Sequence, residues 1–560
     1  MPHKNDKEME SKNIDQATRQ LIDALKQTCG AFGLGNDGNE YKIIVQVFLY
    51  KYFNDKFGYE AKQTPIYGER LAKAEKWDEE YDKFTDEEVE DLFTYLPANT
   101  PKMRPEHTIA HLYNAQGQGD FSNLFDSTMV SIAYLNADIF SMATVNKTKL
   151  TIFEPITIFI PDSSQRDQFA VSLMRYIANP ETNFEQMFSE KYDFFSTMFE
   201  YLIKDYNKDG GGKYAEYYTP RSIAQIMARL LVGNDKENLR GVTCCDPSAG
   251  SGTLLMALAH EIGEDKCTIY SQDISQKSSK MLRLNLILNN LVSSIQNIIQ
   301  GNTLLRPGHR EADGSLKKFD YIVSNPPFKL DFPDERDAIA ADTLRFWAGV
   351  PNKPKEINPD KPKMEIYLCF IQHVLYSLDK SKGKGAIVVP TGFITGKTGI
   401  KKKIIEKIVD DHIIYGVVSM PPNVFATTGT SVSVLFFDMS KKQKDVVLID
   451  ASQMGETYKD GTTQRTRLLP FEIDKIVNTF LNKEEEDKFS AVVDHDKIKE
   501  KSYSLSAGSY FDIVIKHIDI TNEEFRKRVD DMKGKLKDMF AASKTWEDKI
   551  FSQLDKMSIG

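Results

Sequence analysis

Two short stretches of this sequence, and a few residues placed between and around them, have side chains and spacings suited to chemistry. The first stretch is Asn325-Pro326-Pro327-Phe328, which cuts off the apolar run Tyr321–Val323. Prolines have no N–H to donate, so the pair ends any strand ladder at that point. A strand end followed by a turn is the plain structural reading. The chemical reading is a platform. Asn325 carries a side-chain carbonyl, the Pro326 backbone carbonyl is a second acceptor held stiffly by the proline pair, and Phe328 offers an apolar face. Two acceptors aimed at one exocyclic amine suit methyl transfer to a nucleobase. The lone pair of such an amine is delocalised into the ring. Bonding both of its hydrogens draws the nitrogen toward sp³ geometry and frees that pair. The base would first have to leave the duplex, an unstacking step of about a few kcal/mol, and would then stack on Phe328.

The second stretch is Asp246-Pro247-Ser248-Ala249-Gly250-Ser251-Gly252-Thr253, set between strand-like GVTCCD and helix-like TLLMALAHEIG. Gly250 and Gly252 allow a tight turn and close approach of a ligand. Open α/β sheets bind ligands at the carboxyl ends of their strands. Asp246 makes the turn a poor phosphate cradle and a better seat for a ligand with a positive charge or an amine. Asp273 follows after one more strand, at a spacing suited to gripping a ribose diol. A nucleoside without phosphate but with a cationic arm is S-adenosyl-L-methionine. The sulfonium is its own electrophile, so the chemistry needs no metal and no covalent enzyme intermediate, and positioning would supply much of the acceleration. Ser248 and Ser251 belong to the same turn. Tyr217-Tyr218-Thr219-Pro220 precedes it, and Gly301-Asn302-Thr303-Leu304 lies between Asp273 and Asn325. Each signal alone is moderate; their order at successive strand ends makes them specific.

Other motifs fit less well. Gly33-Leu34-Gly35-Asn36-Asp37-Gly38 matches G-x-G-x-x-G, but no strand precedes it, and it reads as a loop between helices. Gly392 to Thr398 resembles a phosphate-binding loop that is one residue short, which spoils the cradle. Pro421-Pro422-Asn423 has the opening motif's residues in reverse order and reads as a turn. The nine histidines show no metal-ligand spacing.

The elements that position these residues follow from periodicity. Up to about residue 180 the chain reads mostly as helices, with KIIVQVFLYKYFNDKF (from Lys42) carrying a wide apolar stripe. TKLTIFEPITIFIPDSS (from Thr148) alternates like a short hairpin. EKYDFFSTMFEYLIKDY (from Glu190) returns to helix and ends at Asp209-Gly210-Gly211-Gly212. From there strands and helices alternate through DVVLIDA, which predicts an α/β fold with a doubly wound, mostly parallel sheet. In the tail, Thr521 and Glu524 form a capping-box pattern. Phe525, Val529, Met532, Leu536 and Met539 follow at 4-3-4-3 spacing, a seam for a partner or for another part of the chain.

Composition narrows the class. At 41% apolar and 27% charged the chain is an ordinary globular protein. It has no apolar run of membrane-spanning length and no hydrophobic leader, so no membrane is expected. Five scattered cysteines without a C-x-x-C pair argue for a reducing, cytoplasmic setting. With 72 basic against 81 acidic residues the net charge is −9, so a partner is expected to supply much of any phosphate binding.

In order along the chain, EYYTPRSIAQIMARLL, DPSAGSGTLL, NPPF, KMEIYLCFIQHVL and MPPNVFATTGTSVSVLFF resemble the catalytic core of the amino-group DNA methyltransferases. EYKIIVQVFLYKYFNDKF and the tail from SYSLSAGSYFDI onward extend that resemblance to the modification (M) subunit of Type I restriction–modification systems. The resemblance implies a Rossmann-like methyltransferase sheet over residues 181–480. A helical N-terminal domain over 1–180 and a helical C-terminal extension for subunit assembly over 481–560 would flank it. It implies adenine in double-stranded DNA as target and S-adenosyl-L-methionine as donor. Its implied partners are a specificity subunit, a second M subunit and, where one accompanies the complex, a restriction subunit. Ala215, Glu216, Tyr217, Tyr218, Thr219, Pro220, Asp246, Ser248, Gly250, Ser251, Gly252, Asp273 and Asn302 would serve the donor, and Asn325, Pro326, Pro327 and Phe328 the flipped adenine. The chain departs from the family in two places. Asp273 stands where Glu is usual, and Asn302 where an Asp usually accepts from the donor's adenine amine; Asn302 keeps a carbonyl acceptor but loses the charge. The same motif would serve a methyltransferase acting on a protein glutamine or an RNA base. A non-catalytic assembly scaffold is the alternative from another class.

Overall fold

A computed structural model of the chain describes residues 4–35, 38–117, 119–140, 142–143, 149–150, 152–185, 188, 219–356, 363–425, 431–441, 443–460, 463–511 and 521–555. It forms two compact units, Met1–Tyr510 and Phe511–Gly560.

The first unit is built on one sheet of nine strands: β3 (Val242–Asp246), β4 (Cys267–Asp273), β5 (Ile298–Gln300), β6 (Tyr321–Ser324), β7 (Lys384–Pro390), β8 (Ile414–Ser419), β9 (Val432–Asp438), β10 (Asp445–Asp450) and β13 (Ser490–Asp494). Two short pairs lie outside it: β1 (Met142–Ala143) with β2 (Lys149–Leu150), and β11 (Glu456–Asp460) with β12 (Thr463–Arg467). The spatial order of the large sheet is β13-β10-β8-β9-β7-β6-β3-β4-β5. Only β9 and β13 run against the rest. The chain steps outward from β3 through β4 to β5, returns to β6 beside β3, and then proceeds the other way. The order therefore reverses between β3 and β6, where the loops leaving the two strands diverge and open a crevice.

The apolar runs become strands buried on both faces, as a doubly wound sheet requires. β6 and β9 are buried along their whole length. Cys244 and Cys245 fill interior positions of β3 as small apolar groups. The helices Arg221–Val232 and Thr253–Ile262 pack against one another. Ile223, Met227, Leu230, Leu255 and Leu258 are fully or nearly fully buried in this core.

Before the sheet come helices from Lys4–Ala31 to Arg166–Ile177. Gly38–Ala61, read from its wide apolar stripe, is buried nearly all round, with Ile43, Val47, Phe48, Phe53 and Phe57 at zero exposure. Its interior polar groups are matched. Lys51 pairs with Asp55 at 3.0 Å, Asp55 accepts from the Phe184 N–H, and Asn54 accepts from the Ile109 N–H. Tyr52 donates to the Ile287 carbonyl at 3.3 Å, tying this helix to the sheet region.

The hairpin expected from Thr148 onward does not form among the described residues. Lys149–Leu150 pairs upstream with Met142–Ala143, and Thr157–Phe159 is a 3₁₀ turn. The reason is tertiary. Burial does not alternate here but falls on adjacent pairs, Ile152–Phe153 and Ile156–Thr157, and the buried Asp126 carboxylate accepts from the N–H groups of Ile156 and Thr157 and from the Thr157 hydroxyl, taking the donors a second strand would need. The helix read over EKYDFFSTMFEYLIKDY lies outside the described residues.

In the second unit, Asn522–Leu554 is one helix started by the expected capping box. Thr521 Oγ1 accepts from the Glu524 N–H at 3.2 Å, and Glu524 accepts from the Thr521 N–H at 3.3 Å. No residue of this helix is buried. The seam of Phe525, Met532, Leu536 and Met539 is exposed and continues through Trp546 and Ile550. No described helix of either unit is long and apolar enough to cross a membrane.

Candidate active site

The crevice at the order reversal is lined by the loop after β3. Gly250 and Gly252 have φ of 52° and 85°, conformations that side chains with a Cβ rarely adopt. A Cβ on Gly252 would lie 2.1 Å from Leu282 Cδ1. Gly252 also caps the helix Thr253–Ile262, so the turn delivers the chain directly into that helix.

Asp246 ends β3 and is 1% exposed. Its carboxylate accepts from the Ser248 N–H at 2.9 Å and the Ser248 hydroxyl at 3.3 Å. Burial, aided by the nearby charge of Asp273, pushes its carboxyl up to about 8. Among the described residues no cation holds it down. It is a buried acid whose ionised form a cationic ligand would stabilise.

Asp273 ends β4. One of its oxygens accepts from the Gly250 N–H at 2.9 Å and the other from the Ser275 N–H at 2.8 Å. Each oxygen keeps a further lone pair, enough to receive the two hydroxyls of a diol. Burial raises its carboxyl above the usual range despite those two bonds. Next to it Ile274 is 63% exposed. In the sequence this exposed apolar side chain beside Asp273 looks like one more residue of a strand end.

Asn302 behaves differently from the expectation that it offers a carbonyl. Its Oδ1 accepts from the N–H groups of Leu304 and Leu305, each at 3.1 Å. Both lone pairs are engaged in its own turn, and the group left to present is the Nδ2 donor. Thr303 donates to the Pro247 carbonyl at 2.7 Å, and buried Arg345 donates to the Thr303 and Leu304 carbonyls. That turn is therefore clamped against the β3 loop.

Asn325 follows β6 and is half-buried. Its Nδ2 donates to Thr219 Oγ1 at 3.0 Å, and its Oδ1 accepts no hydrogen bond among the described residues. Pro326 is buried, Pro327 exposed, and Phe328 lies edge-on to Tyr367 with ring centroids 6.3 Å apart. Ser324, fully buried, has its hydroxyl 2.7 Å from that of Ser248. A small polar residue inside an otherwise apolar strand was the available signal for this link.

Three sets of hydrogen bonds thus join Thr219 to Asn325, Ser324 through Ser248 to Asp246, and Gly250 to Asp273. Pro220 starts the helix Arg221–Val232 beside it. Ser251 is buried behind the turn, its carbonyl accepting from Asn285. Ala215, Glu216, Tyr217 and Tyr218 lie outside the described residues.

The N-6 DNA Methylase family model matches residues 190–517. A relative, the Type I restriction enzyme MpnII methylase subunit of Mycoplasma pneumoniae, is 29% identical over 64% of this chain and 65% of its own length. The alignment thus spans slightly under two thirds of that relative. The Type I restriction enzyme MjaVIII methylase subunit of Methanocaldococcus jannaschii is 22% identical over 97% of this chain and 87% of its own. Among solved structures, the type I restriction-modification system methyltransferase subunit from Streptococcus thermophilus shares the fold. Its TM-score is 0.68 over 88% of this chain and 99% of that one, at 21% identity.

Proposed function

The chain belongs to the N-6 DNA methylase family, and we propose that it methylates the exocyclic amine of an adenine flipped out of double-stranded DNA, as the methyltransferase subunit of a Type I restriction–modification complex. The observation that carries this reading is that Asn325, whose Oδ1 takes no hydrogen bond among the described residues, and the buried Asp246, with no cation beside it among them, follow and end the adjacent strands β6 and β3.

The residues present fit S-adenosyl-L-methionine. Asp246 would hold its ammonium group and Asp273 its ribose diol, while the Gly250–Gly252 turn lets the ligand lie against backbone. When bound, this donor would supply an electrophilic methyl carbon to the amine nitrogen, its sulfur leaving with the bonding electron pair and the amine's proton passing to solvent. Asn325 Oδ1 and the Pro326 carbonyl would each accept one amine hydrogen, holding the nitrogen's lone pair on the donor side. Phe328, supported edge-on by Tyr367, would stack on the base. Ser248 links the donor side to the acceptor side through Ser324, so the two substrates would be positioned by one rigid unit.

In this reading the exposed seam of the helix Asn522–Leu554 docks on the specificity subunit, which reads the sequence and supplies phosphate contacts that a net charge of −9 does not favour. A second M subunit and a restriction subunit complete the proposed assembly.

Calorimetric titration of S-adenosyl-L-methionine into the full chain tests the donor side: saturable binding lost in Asp246→Ala is expected. On the acceptor side, the chain assembled with its specificity subunit should methylate unmethylated DNA and lose that activity in Asn325→Ala. Methylation of protein or RNA but not DNA, or full DNA methylation by Asn325→Ala, overturns the reading.

A further inference from the structure

We propose that Thr219 is a positioning residue for the Asn325 carboxamide; the inference rests on the methyl-transfer reading above and assigns Thr219 a role other than donor contact. Its hydroxyl is the group that receives the Asn325 Nδ2 proton, at 3.0 Å, across 106 residues of sequence. Thr219 is 6% exposed. It is followed at once by Pro220, whose carbonyl accepts from the N–H groups of Ile223 and Ala224. The hydroxyl is therefore carried on the residue just before the N-cap of the helix Arg221–Val232, a rigid element packed into the core.

A carboxamide rotates about its last side-chain bond in a broad, roughly two-fold well. Left alone, the half-buried Asn325 amide would sample planes in which Oδ1 misses the incoming amine. The bond to Thr219 removes that freedom. It also occupies the amide's donor side within the protein and leaves the acceptor side toward the crevice. Turned by 180°, the amide could still take a proton from the hydroxyl, because a hydroxyl both donates and accepts. It would then set its own N–H groups against those of the amine. The amine therefore selects the polarity, and Thr219 holds the plane in which that polarity is productive.

Donor contact and amide positioning make opposite predictions for Thr219→Val, which removes the acceptor and keeps the branching, and for Thr219→Ser, which restores the hydroxyl. The full chain is assembled with its specificity subunit and assayed with tritiated S-adenosyl-L-methionine and unmethylated genomic DNA. Thr219→Val should lower kcat about 10- to 100-fold, the scale of a displaced reacting group, while KM for DNA and the calorimetric affinity for the donor stay unchanged. Thr219→Ser should recover most of the lost turnover. Wild-type kcat in Thr219→Val, or a loss confined to donor affinity, overturns the inference. Asn325→Ala keeps the two levels apart. If it is inactive while Thr219→Val turns over normally, only the role of Thr219 fails; if it is fully active, the methyl-transfer reading fails with it.

Discussion

The carboxyl edge of the sheet and the C-terminal helix treat their exposed groups in opposite ways. At the sheet edge the chain supplies its own partners. Asp273 is bonded by Gly250 and Ser275, Asn302 by Leu304 and Leu305, and Asn325 by Thr219, and what remains open is a small set of aimed groups. Along Asn522–Leu554 nothing is buried, and a seam of large apolar side chains is left bare. A site for a small molecule gains from being ordered before its ligand arrives, because the ordering cost is then met during folding. A helix face meant for another chain needs only the right spacing, since the partner supplies the burial.

Four experiments break or sharpen that contrast, starting with the largest effect. Asn325→Ala removes one aimed acceptor and should cut methyl transfer about 100- to 1000-fold, the range seen when one preorganised hydrogen-bonding group is lost from an active site. Donor affinity measured by calorimetry should be kept.

The second concerns Asp246 and pH. Its carboxyl stands at about 8 in the unliganded protein, so at pH 7 it is mostly protonated. A cationic donor requires the carboxylate, so binding at pH 7 should release about one proton, read from calorimetry in buffers of different ionisation heat. Affinity should rise with pH up to about 8. Stability should run the other way. A carboxyl raised on folding contributes stability that is fully present below the ordinary carboxylate range and lost as pH rises through about 8. Thermal melts of unliganded Asp246→Asn should lack that slope. A donor affinity flat with pH would show that Asp246 is not one of the aimed groups.

Third, Asn302→Asp puts an acceptor where the Nδ2 donor now stands and leaves the other oxygen to cap Leu304 and Leu305. Donor affinity should rise about tenfold, the worth of one corrected hydrogen bond at a buried ligand. Unchanged affinity would mean that this edge position does not face the donor's base.

The smallest effect belongs to the tail. Phe525→Gln, Met532→Gln and Leu536→Gln should each change the chain's own stability by less than about 0.5 kcal/mol, because those side chains are exposed. Together they should weaken co-purification with the specificity subunit. A marked fall in the thermal midpoint would mean that the seam is covered within the chain after all.

Much of this architecture could be read from local pattern. GVTCCD, CTIYSQD, FDYIVSN, GAIVVPT and IIYGVVSM are strands because continuous apolar runs of that length, bounded by turn residues, suit a sheet covered on both faces. The capping box at Thr521 closes over three residues and needs no distant partner. Other features depended on distant groups. β13 joins the sheet edge from a stretch read as part of the helical tail, because β10 offers it an unpaired edge. β9 enters antiparallel between β7 and β8, an orientation no periodicity encodes. The expected hairpin after Thr148 lost its donors to Asp126.

The candidate site divides along the same line. By itself the sequence determined which chemical groups stand at each strand end: the proline-stiffened Asn325, the glycines that permit φ of 52° and 85°, and the two acids Asp246 and Asp273. These are properties of residue type and of the few bonds around each one. Only the tertiary structure decided which way those groups face. Asn302 spends its carbonyl on its own turn, Asn325 spends its Nδ2 on Thr219 and leaves its carbonyl unbonded among the described residues, and Asp246 is buried with no cation beside it among them. Residue type limits which hydrogen bonds a side chain can make, but its direction and its charge depend on neighbours that the chain brings together from as far as 106 residues away.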